Sequence, residues 1–328
     1  MWPLGIAYPP AREDGYWAPI TSTLDWCEEN YYATHYLAEI VNTLTNIWFM
    51  YLAFKGMFNC RRNGHDQVFF VAYLGYLVVG SGSFAFHATL KYPMQLVDEL
   101  SMIYTTCLMF WATFAYNRTQ AVQVSLGIAS VSLSIFITGY YHYLQDPTFH
   151  QNAYAILTAF VLFRSIYVME VNIRPYYRNR RVEREKAQSG RSLTAAEQSE
   201  EKRKDRRDSE ILTTMWILIG YGLSIFLGGF GIWTLDNVYC STLRVWRHEI
   251  GLPWGIVLEG HGWWHIMTGY GAYCYIQWGI WLRHCLNGRQ DEFEMVWPGW
   301  FSIPYVEKRV APVANGSVTN GSVSKKTS

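Results

Sequence analysis

Three histidines have the side-chain type and the spacing to do chemistry. His87 lies in GSGSFAFHATLKY, and His261 and His265 lie in LEGHGWWHIMTGY. An i, i+4 spacing puts the last two on one helix face, a turn apart. Such a pair can grip one metal ion, and a third imidazole completes the three-ligand set of a catalytic zinc, with the fourth position left for water. The zincin glutamate is missing, because Gly262 follows His261 where HExxH carries Glu. A general base must then come from elsewhere, and Asp98 in YPMQLVDEL, one short loop after His87, is the candidate. Its neighbour Glu99 points about 100° away on a helix. Ser83 sits one turn before His87 on the same face, where it can bond a metal-bound water or a substrate carbonyl, although a serine in an apolar helix more often bonds its own backbone. From spacing alone, HxxxH reads equally well as two hydrogen-bonded core histidines.

A second cluster lies in TSTLDWCEENYY and just after it. Asp25, Glu28, Asn30 and Glu39 offer the hard oxygen ligands that calcium prefers. The spacing is not that of an EF-hand, and by spacing alone an acidic loop capping the first helix is the better reading. Six cysteines without a CxxC make neither a disulfide scaffold nor a metal knuckle. Cys107, Cys274 and Cys285 fall in or beside apolar runs and read as small core residues, whereas Cys27 and Cys240 fall in polar segments.

The elements that must hold these residues are written in the composition. Half of the 328 residues are hydrophobic, with 15 Trp and 24 Tyr against only 16% charged, a balance foreign to soluble domains. A net charge of +1 gives no bulk attraction to nucleic acid. A hydrocarbon core takes roughly 20 apolar residues per helix. Candidate spans cover about 38–58, 67–88, 95–115, 121–143, 149–170, 211–233 and 254–283. The fold class is therefore an all-α membrane protein, a seven-transmembrane helix bundle. Lys55, Arg61, Arg62, Arg118, the segment 174–210 and Lys308, Arg309, Lys325 and Lys326 fall on one side. That side is the more basic and should be cytosolic, which puts the N-terminus in the lumen and the C-terminus in the cytosol. The N-terminal MWPLGIAYPP lacks the features of a cleavable signal peptide, so the first span should drive insertion.

The chain then divides into a luminal segment 1–36, a membrane domain 37–300 and a disordered cytosolic tail 301–328. The charged stretch 176–210 is expected to be a disordered loop or a solvated helix, since it can bury little apolar surface. The chain ends in KKTS, similar to the dilysine signal that retrieves membrane proteins to the endoplasmic reticulum. The sequons at Asn117, Asn315 and Asn320 fall on the cytosolic side and should go unused.

Taken together, GYWAPITSTLDWCEENY, GSGSFAFHATLKYPMQLVDELSMIY, FHQNAYAILTAFVLFRSIY, WTLDNVYC and HGWWHIMTG closely resemble the alkaline ceramidase family, over roughly residues 13–175 and 212–300. The resemblance implies seven helices and hydrolysis of the ceramide amide bond to a sphingoid base and a fatty acid, in the endoplasmic reticulum or Golgi membrane. It implies zinc on His87, His261 and His265, with Ser83 and Asp98 beside it. It also implies calcium on Asp25, the Trp26 carbonyl, Glu28, Asn30 and Glu39, and a luminal disulfide between Cys27 and Cys240. Two other readings stay open. One is a seven-helix receptor of the adiponectin-receptor type, which resembles this group in its three-histidine zinc site. The other is a transporter, to which the absence of an obvious internal repeat or broken helices gives little support.

Overall fold

In the computed structural model, residues 5–189 and 193–309 are described, and they are mostly helical. Seven helices have 23 residues or more: α1 (Ile40–Asn63), α2 (Gln67–Thr89), α3 (Tyr92–Phe114), α4 (Gln120–Leu144), α5 (Pro147–Ile173), α7 (Ala195–Val238) and α9 (Gly260–Leu286). Between them lie α6 (Pro175–Ser189) and α8 (Cys240–Ile250), with a short 3₁₀ turn at Trp254–Leu258. Four of the long helices, α2, α4, α5 and α7, are long and apolar enough to cross a membrane by length and composition.

The polar content of α1, α3 and α9 has a physical reason. Asn42, Thr43 and Asn46 of α1, Gln95 of α3 and Gln277 of α9 are fully buried in the bundle. The opposite side of α1 exposes Leu44, Ile47, Tyr51, Phe54 and Phe58, a stripe at helical spacing. These polar side chains share the interior with large apolar ones such as Phe49, Leu52 and Trp278, while the outward stripe of α1 is apolar as well.

Helices α1, α2 and α3 pack in sequence, α9 returns to lie against α1, and α7 covers α9. Helix α5 closes the bundle against α3, α7 and α9, and α4 rests outside on α3 and α5. Small residues permit the closest approaches: a Cβ on Gly82 would stand 3.1 Å from the Asp98 nitrogen, so α2 and α3 meet backbone to backbone beside Ser83.

Helix ends follow local chemistry. Asp66 caps α2 and Asp146 caps α5, with Pro147 in its first turn. Thr194 and Glu197 form a capping box at the start of α7.

Of the two readings of 176–210, the helix is the one seen: residues 176–189 lie in α6 and 195–210 in the first turns of α7. Its opposite charges fall at helical spacing, as in Arg203–Glu200, Lys204–Glu201 and Arg206–Glu210, and Arg178 of α6 reaches Asp205 and Asp208 of α7. The beginning of the supposed tail is also ordered. Strand β2 (Tyr305–Lys308) pairs antiparallel with β1 (Phe293–Val296), Phe293 opposite Lys308. Gln277 accepts from the Val306 N–H at 3.0 Å and Asn59 donates to its carbonyl at 3.0 Å, so buried amides from two helices recruit the strand. Arg244 and Arg247 lie on the helix α8. The KKTS terminus, Asn315 and Asn320 lie outside the described residues.

Candidate metal centre

His87 occupies the last turn of α2, and His261 and His265 the first two turns of α9. All three are buried, and each offers one ligand atom within 4.8 Å of the other two. Ring centroids stand 4.7–5.0 Å apart.

Outer partners hold two of the rings. His87 Nδ1 is 2.5 Å from Glu39 Oε2. His265 Nδ1 is 3.0 Å from Thr45 Oγ1 and 3.3 Å from Asn46 Nδ2. The remaining nitrogen of each ring is left for the shared point between them. His261 Nδ1 is buried without a hydrogen-bond partner among the described residues, and the Trp26 indole lies against its ring at 4.4 Å. Three imidazoles converging in a buried site, one braced by a carboxylate, make a donor set that fits zinc.

Ser83 and Asp98 both lie at the α2–α3 contact, where Gly82 meets the Asp98 backbone. Ser83 is buried and Asp98 half-buried. Glu99 turns away from them, as its 100° offset requires, into a separate network. It accepts from Tyr141 of α4 and from Gln95 Nε2 at 3.1 Å, and its carbonyl lies 2.8 Å from His150 Nε2 of α5.

The N-terminal oxygens are gathered beside the first helix. Glu28 spends both carboxylate oxygens on the start of α1, accepting from the N–H groups of Val41 at 2.7 Å and Asn42 at 2.8 Å. Glu39 accepts from the Trp26 N–H at 3.3 Å and from Asn42 Nδ2 at 3.1 Å, besides its bond to His87. Asp25 is exposed and accepts from Asn30 Nδ2 at 3.1 Å, while Asn30 Oδ1 is buried without a hydrogen-bond partner. The Trp26 carbonyl accepts from Arg244 at 3.3 Å. Burial, with the Glu259 and Glu39 carboxylates nearby, pushes Glu28 well above the usual carboxylate range. Carboxylate and amide oxygens keep spare lone pairs after one hydrogen bond and are the donor type a hard cation takes.

Cys27 and Cys240 are joined by a disulfide, with Cα atoms 5.4 Å apart. Beneath it lies a buried cluster that spacing does not announce. Arg247 of α8, fully buried, donates to Glu259 at 2.7 Å and to the Cys27 carbonyl at 3.2 Å, and Tyr8 donates to the same Glu259 oxygen at 2.7 Å. Asn42, Thr45, Asn46, Arg247 and Glu259 were all outside the sequence-derived site. The i, i+3 and i+4 spacing of Asn42, Thr45 and Asn46 is the one local signal that pointed to a polar face on α1.

A ceramidase family model matches residues 18–307. Alkaline ceramidase 3 of Mus musculus is 31% identical over 303 residues, which cover 92% of this chain and 98% of the relative. Alkaline ceramidase YPC1 of Saccharomyces cerevisiae is 34% identical over 286 residues, 82% of this chain and 79% of the relative. An alkaline ceramidase of Arabidopsis thaliana is 24% identical over 261 residues, 79% of this chain and 83% of the relative.

Proposed function

Because the chain belongs to the ceramidase family and is on that ground a ceramide amidohydrolase, we propose that it cleaves its substrate with zinc held by His87, His261 and His265. The observation that carries this reading is the convergence of three buried imidazoles, with Glu39 bracing His87. Zinc bound there supplies Lewis acidity toward the amide carbonyl and a lowered pKa for water.

The chain's own residues do the rest. Asp98 takes a proton from the attacking water and delivers it to the leaving amine. Ser83, at the same α2–α3 contact as Asp98, offers its one O–H to the oxygen that gains charge at the amide carbon. Glu39 fixes the tautomer and direction of His87, and Thr45 and Asn46 do so for His265. Asp25, the Trp26 carbonyl, Glu28, Asn30 and Glu39 would hold calcium, whose charge would offset the N-terminal carboxylates in a structural or regulatory role.

The seven long helices each cross the bilayer, with the N-terminus luminal and the C-terminus cytosolic. The apolar stripe on α1 supports a lipid-facing position for a helix that also carries buried amides. A substrate dissolved in the bilayer gives a hydrolase reason to sit among such helices. Phytoceramide and dihydroceramide are the proposed substrates, and the endoplasmic reticulum or Golgi the proposed location.

The test assays fatty-acid release from a ceramide panel by the purified protein and its His261→Ala variant, with bound zinc measured in both. Release by the wild type, with zinc and activity lost together in the variant, is expected. Stoichiometric zinc with no release from any ceramide would move the reading to a zinc-containing receptor. Activity surviving in a zinc-free variant would refute the three-histidine mechanism.

A further inference from the structure

His261 is the one imidazole of the three whose Nδ1 lacks a hydrogen-bond partner among the described residues. Something other than a ring hydrogen bond must fix its place. It sits in the first turn of α9, where the backbone N–H groups have no intrahelical acceptor. The preceding residue, Glu259, does not cap them, because its side chain is committed to Arg247 and Tyr8.

The cap comes from another helix. Asp236, in the last turn of α7 and only 1% exposed, accepts from the Gly260 N–H, next to His261, at 3.1 Å through Oδ1. The approach is close enough that a Cβ on Gly260 would stand 2.7 Å from the Asp236 Cβ. Asp236 is itself anchored, since the disulfide at Cys240 begins one turn further on. The Trp26 indole then packs against the His261 ring.

We infer that Asp236 is a positioning residue for His261: by capping α9 from α7 it sets the height and rotation of the turn that carries the ligand. The inference rests on the zinc reading above. Asp236 acts through its Oδ1 as an acceptor of the Gly260 N–H, so an asparagine, which keeps that oxygen, does the same work. An alanine leaves the Gly260 amide without that cap and frees the turn.

The experiment measures zinc affinity by chelator competition, and the visible spectrum of the cobalt-loaded protein, for wild type, Asp236→Ala, Asp236→Asn and Gly260→Ala. Asp236→Ala should bind zinc about 10–100-fold more weakly and change the cobalt spectrum, as loss of an orienting group does at metal sites. Asp236→Asn should stay close to wild type in both. Gly260→Ala, which wedges the cap apart without altering charge, should follow Asp236→Ala and keeps the test decisive if that variant does not fold. Wild-type affinity in Gly260→Ala or in Asp236→Ala would overturn the inference. So would an Asp236→Asn variant as weak as Asp236→Ala, since the charge rather than the cap would then be at work. A wild-type protein that binds neither metal would sink the zinc reading, and this inference with it.

Discussion

Replacing Arg247 by methionine isolates one buried charge. Arg247 is fully buried and Glu259 is 1% exposed, so water screens neither. Their contact is 2.7 Å. Without the guanidinium, the Cys27 carbonyl still has Arg244 Nε at 2.9 Å, so that acceptor stays satisfied. Among the described residues the Glu259 carboxylate then keeps only the Tyr8 hydroxyl, at 2.7 Å. The cost therefore comes from an uncompensated buried carboxylate, about 3–5 kcal/mol, or a fall in melting temperature on the order of 10 °C.

Adding Glu259→Gln to that variant removes the charge while keeping an acceptor for Tyr8. It should recover about 2 kcal/mol or more, giving a coupling energy typical of residues in direct contact. Unfolding in mild detergent can be followed by the reactivity of Cys60, Cys107 and Cys274, which are free and buried. A loss under about 1 kcal/mol for Arg247→Met, or a double variant no more stable than the single, would refute the reasoning.

Other consequences are as direct. Glu39→Ala removes the acceptor of His87 Nδ1 and should weaken zinc binding about 10–100-fold, checked by chelator competition. Asp98→Asn should lower kcat by about 10²–10⁴ while zinc content stays at the wild-type level, and zinc lost along with activity would place Asp98 among the ligands instead. His65, in the α1–α2 turn, is held neutral by burial with its pKa lowered to about 4. The unfolded chain takes up that proton near pH 6.5 and the folded one only near 4. Stability is therefore present above that window and lost as pH falls through it, by up to about 1.4 kcal/mol per pH unit. Stability measured from pH 7 to pH 4 should fall more steeply for wild type than for His65→Gln, and equal slopes would exclude His65 as the cause.

Much of the molecule is legible in its residues because membrane helices obey local rules. A run of about 20 apolar residues between polar turns fixes a helix wherever it later packs; each of the seven proposed spans overlaps a long helix, and four of those helices are long and apolar enough to cross a membrane. The i, i+4 spacing of His261 and His265 likewise fixes their shared face before any fold exists. Charged segments were harder. In 176–210 a low content of apolar residues argued against a packed core, but local ion pairs and a cross-helix arginine suffice to order two helices there.

What no local pattern could decide is which distant polar groups would be buried against each other. Glu39 and His87 are separated by 48 residues, Thr45 and His265 by 220, and Tyr8 and Glu259 by 251. Each pair exists because burial makes an unpaired polar group costly, and the bundle supplies a partner from whichever helix comes near. Residue type and spacing determined the candidate ligands and the elements bearing them. The packing of α9 between α1 and α7 decided that His261 and His265 meet His87, and which side chains hold them there.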